Sequence, residues 1–171
     1  MTYQLDSAHS ELGFSVRHMG LANVSGRFDE FDIDASFDEK GNAQSVVVTV
    51  QTASIQTNNN DRDTHLRSAD FFEVENYPVM RFELVSIKGS RDNAVVEGNL
   101  TIKDTTHPVQ FKAELSEFIT DPWGKQRIAV EGSGKLNRND WGLTWSQLLE
   151  TGSLLVGRDV KFNFSVQFVK Q

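Results

Sequence analysis

Hydrophobic and polar positions alternate along most of this chain. In the first alternating segment, Leu12, Phe14 and Val16 fall on one parity, whereas Glu11 and Arg17 fall on the other. A period of two residues places one parity in a core and the other in water, which is the pattern of antiparallel β-strands. The same pattern recurs in segments 46–50, 80–84, 96–102, 109–115, 128–136 and 160–168.

One further segment changes phase in its middle. Gly26 and Phe28 share one parity, whereas Phe31 and Ile33 take the other. One extra residue near Asp29–Glu30, as in a β-bulge, returns both halves to the same face. Counted as one bent strand, this segment brings the expected total to about eight strands.

Two segments interrupt the alternation. The first predicts a short helix over about residues 61–69, with Asn60 as its cap and with Leu66 and Ala69 facing inward. Asp61 and Asp63 then fall in the first helical turn, where negative charge is favourable. The second segment, residues 141–157, predicts a long loop.

Eight antiparallel strands with one apolar face form either a two-sheet sandwich or a closed barrel. Gly26, Gly98, Gly132 and Gly134 lie on the apolar parity, where a sandwich core needs bulk. Such glycines either bend a strand or leave room inside a barrel. We therefore expect an all-β protein, an antiparallel eight-stranded barrel, in which residues 1–171 form a single domain.

Charge and composition narrow the function. The chain of 171 residues has 17 basic and 24 acidic side chains and a net charge of −7, which disfavours nucleic acid as a partner. The absence of cysteine excludes disulfides and thiolate metal sites. No apolar run approaches the length of about 20 residues that a membrane helix needs, so we do not expect the chain to span a membrane.

Candidate catalytic and metal groups are few. The histidines at 9, 18, 65 and 107 lack the spacing of a zinc site, and no nucleophile elbow or phosphate loop is present. Asp61, Asp63 and Asp70 lack the calcium-loop pattern, so helix capping explains them better. We expect no catalytic residue, no metal site and no cofactor.

Spaced motifs along the whole chain carry a family resemblance. They are Leu5–Ser10, Phe14-x-Val16-x-His18, Gly26-x-Phe28, Ser54-Ile55-x-Thr57, Arg62–Phe72, Tyr77–Phe82, Gly98–Ile102, Arg138-x-Asp140–Leu143, Glu150–Gly152 and Leu155–Val160. This set resembles the YceI-like family. Two positions depart from the family pattern: Lys103–Thr105 stands where a turn glycine is usual, and Trp141 stands where phenylalanine is usual.

The resemblance implies a lipocalin-like barrel whose apolar tunnel binds a polyisoprenoid, an isoprenoid quinone or a fatty-acid-like amphiphile for transport, storage or sensing. It also implies a homodimer. A periplasmic location is expected if a signal peptide has been removed from this sequence, and a cytoplasmic one otherwise, because Met1–Asp6 carries no signal-peptide pattern. Trp141 is expected near the barrel mouth, where it would narrow the tunnel.

The side chains expected to face the lumen follow from parity and from this resemblance. They are Leu12, Phe14, Val16, His18, Phe28, Ile33, Met80, Phe82, Val96, Gly98, Leu100, Phe111, Val130, Trp141, Phe162 and Phe164. His18 is also explained as a strand-end histidine bonded to main chain or water. Two alternatives stay open: a barrel enzyme that uses a histidine base on a small apolar substrate, and a barrel with a filled core that serves as an interaction module.

Overall fold

A computed structural model describes residues 2–146 and 156–171. Within these ranges the chain forms twelve strands, one α-helix and three short 3₁₀ helices. The helix α1 is Asn60–Arg67, and the 3₁₀ helices are Ser7–His9, Thr52–Ser54 and Arg138–Trp141. The strands are β1 (Thr2–Leu5), β2 (Glu11–His18), β3 (Ala22–Phe28), β4 (Phe31–Phe37), β5 (Ala43–Gln51), β6 (Ile55–Gln56), β7 (Val79–Ser90), β8 (Asn93–Ile102), β9 (Thr105–Leu115), β10 (Ile119–Thr120), β11 (Gln126–Asn137) and β12 (Val156–Lys170).

The sheet closes on itself. The strands β11, β9, β8, β7, β5, β4, β1 and β12 pair in that order, and β12 pairs again with β11, so the ring has eight antiparallel positions. Three of these positions are bent strands, because β2 continues β1, β3 precedes β4 and β6 continues β5 along the same partners. The predicted eight-stranded barrel is confirmed.

The phase change in the bent strand lies where the alternation places it. Phe28 and Ile33 are both buried although they have opposite parity. The strand is interrupted between them, at Asp29 and Glu30. There the Asp29 N–H donates to the Ser54 carbonyl at 3.2 Å, and the Gln51 N–H donates to the Glu30 carbonyl at 2.9 Å. The strand therefore breaks into two pieces here, and the two residues turn the chain back to the core face.

The short helix differs from its prediction at both ends. Asn59, not Asn60, is the N-cap: its side chain accepts the Arg62 N–H at 3.0 Å. The helix ends at Arg67, so Ala69 lies beyond the last turn and is exposed, whereas Leu66 faces inward as predicted. Sequence patterns locate helix ends only to within about two residues, and neighbouring asparagines are equally good caps.

The predicted 141–157 loop is only partly described. Its first residue ends the 3₁₀ helix Arg138–Trp141, and residues 142–146 follow without regular structure. Residues 147–155 lie outside the described part of the chain. Val156 and Gly157 already belong to β12, so the last strand starts earlier than the alternation predicts.

The inward glycines are covered by phenylalanine rings. Phe14 lies over Gly26, Phe82 over Gly98, Phe164 over Gly132 and Phe162 over Gly134. A Cβ atom added at Gly134 would lie 2.6 Å from the Phe162 ring. The alternative in which these glycines leave room for a ligand is therefore wrong: the space goes to rings that lie flat against a neighbouring strand.

Aromatic rings close one end of the barrel, which we call the base. The Tyr3 ring contacts Phe37 edge-on at 5.2 Å and stacks on Phe118 at 5.8 Å, and Phe37 contacts Phe168 at 5.6 Å. Arg91 straps the neighbouring turns together by donating to the Gly41 carbonyl at 2.7 Å and to the Ser116 carbonyl. Entry to the interior is therefore confined to the opposite end, which we call the mouth.

A charged clamp holds the outside of the base. Arg127 donates from Nη1 to Asp6 at 2.7 Å and from Nε to Asp121 at 2.9 Å. The guanidinium, followed by His9, holds the pKa of Asp6 below its ordinary value of 3.8. The pKa of Asp121 is also lowered, first by the Lys125 N–H and then by Arg127.

Acid should weaken this clamp. A carboxyl with a depressed folded-state pKa stabilises the protein above its unfolded pKa, and that stability is lost as pH falls through the folded value. We therefore expect a constant Tm from pH 7 to about pH 5 and a fall below about pH 4, with a shallower fall in Arg127→Gln, as measured by thermal circular dichroism. An Arg127→Gln protein with the same acid slope as the parent would contradict this assignment.

Candidate functional site: an apolar cavity inside the barrel

The barrel interior is open. It encloses a cavity of about 680 Å³, which runs from the mouth to the aromatic base. This volume lies within the range of about 300–1,000 Å³ that is usual for small-molecule sites. The walls are the inward faces of all the main barrel strands, so the alternation that builds the fold also builds the cavity.

The predicted lumen-facing residues surround one space. All of them except Gly98 line the cavity, from Leu12, Phe14 and Val16 on β2 to Phe162 and Phe164 on β12. Gly98 is absent from the lining because the Phe82 ring covers it. The geometry brings the remaining residues together, and their contact with a ligand stays a prediction.

Several lining residues were missed by the sequence analysis. Phe71, Phe72 and Trp145 cover the mouth from segments without alternation, so periodicity carried no signal for them. Leu66, on α1, lies beside them and faces inward as the helix pattern predicts. Parity was sufficient to find further lining residues that continue the inward faces of named strands. They include Val46, Val48, Val50, Val109, Leu136 and Val160.

Polar side chains enter the lining only near the mouth. They come from the end of β2 (Arg17 and His18), from the stretch Thr57–His65 and from Arg138. The deeper walls are apolar, mainly valine, leucine, isoleucine and phenylalanine. The cavity thus has the polarity of an amphiphile, with one polar end and a long apolar body.

Arg138 is a buried cation at the polar end. It is 5% exposed and donates to the carbonyls of Leu143 at 2.6 Å, Gly157 at 2.8 Å and Val156 at 3.0 Å. Burial, and then the neighbouring Arg158 charge, lower the pKa of Arg138 from its ordinary value. Within residues 2–146 and 156–171, the hydrogen-bond partners of Arg138 are these three carbonyls, and none of the ion pairs there involves it.

Trp141 is buried at the mouth, as the sequence predicts. Its indole Nε1 donates to the Leu100 carbonyl at 2.8 Å, and its ring contacts His107 edge-on at 5.5 Å. Phenylalanine at this position would fill similar space but could not donate this hydrogen bond. Trp141 therefore ties the 3₁₀ helix to the end of β8 as well as lining the cavity.

Helix α1 covers part of the mouth and is anchored from below. The buried Asp63 carboxylate accepts both the Thr57 N–H at 3.0 Å and the Thr57 hydroxyl at 2.5 Å. His65 bonds Asp70 at 2.8 Å, and its ring meets Trp145 edge-on at 4.4 Å. Asp63 and Asp70 thus each have a protein partner, but neither bond is a helix cap, because the cap of α1 is Asn59.

The described ranges hold neither a metal cluster nor a membrane-length helix. No three histidine, cysteine, aspartate or glutamate side chains converge on a point within residues 2–146 and 156–171. In the same ranges, no helix is long and apolar enough to cross a membrane.

Comparison with known proteins identifies the family. The sequence profile of the YceI-like domain matches residues 3–168. The chain belongs to the YceI-like family. A UPF0312 protein of Pseudomonas aeruginosa is 37% identical over 172 residues, covering 99% of this chain and 87% of that protein.

Solved structures of YceI-like proteins have the same barrel. The Campylobacter jejuni YceI protein matches with a TM-score of 0.79 and 30% identity, covering 99% of this chain and 98% of that one. A polyisoprenoid binding domain from Saccharophagus degradans matches with a TM-score of 0.70 and 18% identity, covering 99% and 98% of the two chains. At 18% identity the second match concerns the fold alone.

Proposed function

We propose that this YceI-like barrel binds one long-chain apolar lipid, as a carrier or store rather than as an enzyme. The observation that carries the proposal is the cavity of about 680 Å³, apolar except at its mouth. A chain transferred from water into such walls gains about 0.8 kcal/mol for each buried methylene, before the cost of ordering it. The Saccharophagus degradans domain, described as polyisoprenoid-binding, supports the same class of ligand.

The volume sets the length of chain that fits. At roughly 30 Å³ per methylene-sized atom, the space holds about 20 heavy atoms. A fatty-acid-like chain or a shorter isoprenoid therefore fits inside, whereas an octaprenyl chain of about 40 carbons would leave part of itself outside the mouth. We propose that the deep end takes the chain and that the Arg17, Arg62 and Arg138 side of the mouth takes a polar or anionic end group.

The two alternatives from the sequence are less well supported. A filled core is incompatible with the open volume inside the barrel. A histidine base would need a nucleophile within hydrogen-bond reach. The hydroxyl in the described lining, that of Thr57, donates to Asp63 and accepts from Arg62, and His65 bonds Asp70 instead. Binding without chemistry needs none of these groups.

A chain-length series tests the proposal. The purified protein is denatured and extracted, and the extract is analysed by mass spectrometry for apolar chains. The protein is then titrated with fatty acids and isoprenoid alcohols of increasing length. We expect affinity to rise by up to about fourfold per methylene and to level off near 20 carbons. An extract without lipid, together with no dependence on chain length, would overturn the proposal.

A further inference from the structure

The turn between β2 and β3 exposes apolar side chains beside the mouth. Leu21 is 82% exposed and Met19 is 43% exposed. The two residues flank Gly20 at the tip of a hairpin whose strands are ordinary barrel wall. Isolated exposed apolar residues are common, but a pair at one projecting tip is a candidate contact surface.

The backbone of this turn is poorly suited to methionine. Met19 and Gly20 have φ values of +57° and +68°, and the Leu21 N–H donates to the His18 carbonyl at 3.2 Å. This is the mirror-image turn that favours asparagine followed by glycine. Among the four described non-glycine residues with positive φ, Met19 is the only apolar one. The backbone conformation and the exposure to water both disfavour methionine at this position. The presence of Met19 is therefore better explained by a function of its side chain than by the needs of the turn.

The tip is continuous with the cavity opening. His18, the last residue of β2, lines the mouth and pairs with Val156 at the start of β12. Val16 and Val24, one step further down the hairpin, line the apolar wall. A surface that touched Met19 and Leu21 would therefore lie against the opening.

The charges around this opening include cations drawn from distant segments. Arg17 borders the tip and packs against Gly157, and the exposed Arg158 lies close enough to Arg138 to lower its pKa. Asp61 is the acidic side chain in the lining of the mouth. On a chain with a net charge of −7, the exposed Arg17 and Arg158 make this rim locally attractive to lipid phosphates.

We propose that the β2–β3 tip docks the protein on a phospholipid bilayer that contains anionic lipid, with Met19 and Leu21 inserted among the headgroups and the mouth facing the membrane. The role of this contact rests on the proposed lipid-binding function, because docking would let an apolar chain move between bilayer and cavity with little exposure to water. The contact itself depends on the tip and on the charge of the rim, and not on whether a lipid enters the cavity.

Vesicle binding tests the docking surface. Parent protein, Met19→Asn/Leu21→Ser and Trp123→Ser are sedimented with vesicles of phosphatidylcholine alone and of phosphatidylcholine with phosphatidylglycerol. Trp123 is the matched control, because it is 80% exposed but lies in a turn at the base. We expect the double variant to lose at least about tenfold in partitioning and the control to stay within about twofold. Added salt should weaken binding to the anionic vesicles more than to the neutral ones.

Two further measurements separate docking from misfolding and from a damaged cavity. Asparagine suits the turn better than methionine, so the double variant should melt no lower than the parent, which removes misfolding as the cause. Uptake of a fluorescent fatty acid from aqueous dispersion should be unchanged, because neither side chain lines the cavity. Normal vesicle binding with no uptake supports docking and overturns the lipid-binding function. Equal partitioning of parent and double variant, or a dimer that the double variant dissociates in size-exclusion chromatography, overturns docking.

Discussion

Val96→Phe is expected to reduce the lipid load to below about a tenth of that of the parent protein, while Val95→Phe leaves it nearly unchanged. The two residues are adjacent on β8 and carry the same side chain. Val96 lines the cavity opposite Phe111, whereas Val95 pairs with Lys112 and Lys88 on the outer face. The period of two therefore makes Val95 a control that differs only in direction.

The physical reason is loss of volume in the apolar half of the cavity. A phenylalanine ring at position 96 projects into space that a chain would occupy, and a shortened cavity holds fewer methylenes. Each methylene excluded costs about 0.8 kcal/mol of binding. In the chain-length titration, the length at which affinity stops rising should consequently be shorter for Val96→Phe and unchanged for Val95→Phe.

Lipid load and melting temperature should be measured on both variants together. Because the new ring enters open space, we expect the Tm of Val96→Phe to stay within a few degrees of the parent value. In a filled core the same ring would overpack and cost about 1–3 kcal/mol. A large fall in Tm with no lipid in the parent would contradict the open cavity, and equal loss of lipid from both variants would contradict the assigned facing of β8.

Gly132→Ala is expected to be strongly destabilising for a change of a single carbon in the barrel wall. A Cβ atom at Gly132 would overlap the Phe164 ring and lie 2.8 Å from the Lys112 carbonyl oxygen. The ring is pinned in turn by an edge-on contact with Phe111 at 5.6 Å. With main chain on one side and a packed ring on the other, the strand must shift, and we expect a loss of about 1–3 kcal/mol in the free energy of unfolding.

Gly13→Ala is the matched control on the neighbouring wall. Its added Cβ would lie 2.7 Å from the Asn163 side-chain oxygen, and Asn163 is exposed and can rotate away. Alanine is otherwise better than glycine inside a strand by about 0.5–1 kcal/mol, so we expect little net change. Urea denaturation of both variants gives the comparison, with Phe164→Leu/Gly132→Ala closing a double-mutant cycle. Equal free energies of unfolding for the two alanine variants would show that the Phe164 ring does not need a glycine at position 132.

The fold could be predicted from the sequence because its main signal is local. Parity along β8 places Val96 inside and Val95 outside without reference to any other strand, and the phase change near Asp29–Glu30 follows from the same count. Strand identity, lining side chains and the absence of a metal-ligand pattern all depend on residue type and spacing alone. The spaced motifs added the family.

The exact helix ends and the role of the inward glycines could not be predicted from this local pattern. Asn59 and Asn60 are equally good caps by residue type, and the structure shows Asn59 in that role, in a helix that also bonds Thr57 through Asp63. A glycine on the apolar parity is compatible with a bend, with open space or with a covering ring. The choice at Gly98 depends on Phe82, which lies on another strand.

What the sequence by itself determined is the set of strands and their inward faces, since alternation acts between neighbours in the chain. Only the tertiary structure decided what those faces enclose. Ring closure through the β11–β12 pairing converts the inward faces into one cavity, and it brings Arg17, Arg138 and Arg158 from distant positions to the same mouth. The physical reason is that the cavity volume and the clustering of charges depend on strands that are far apart in sequence, so no local pattern predicts them.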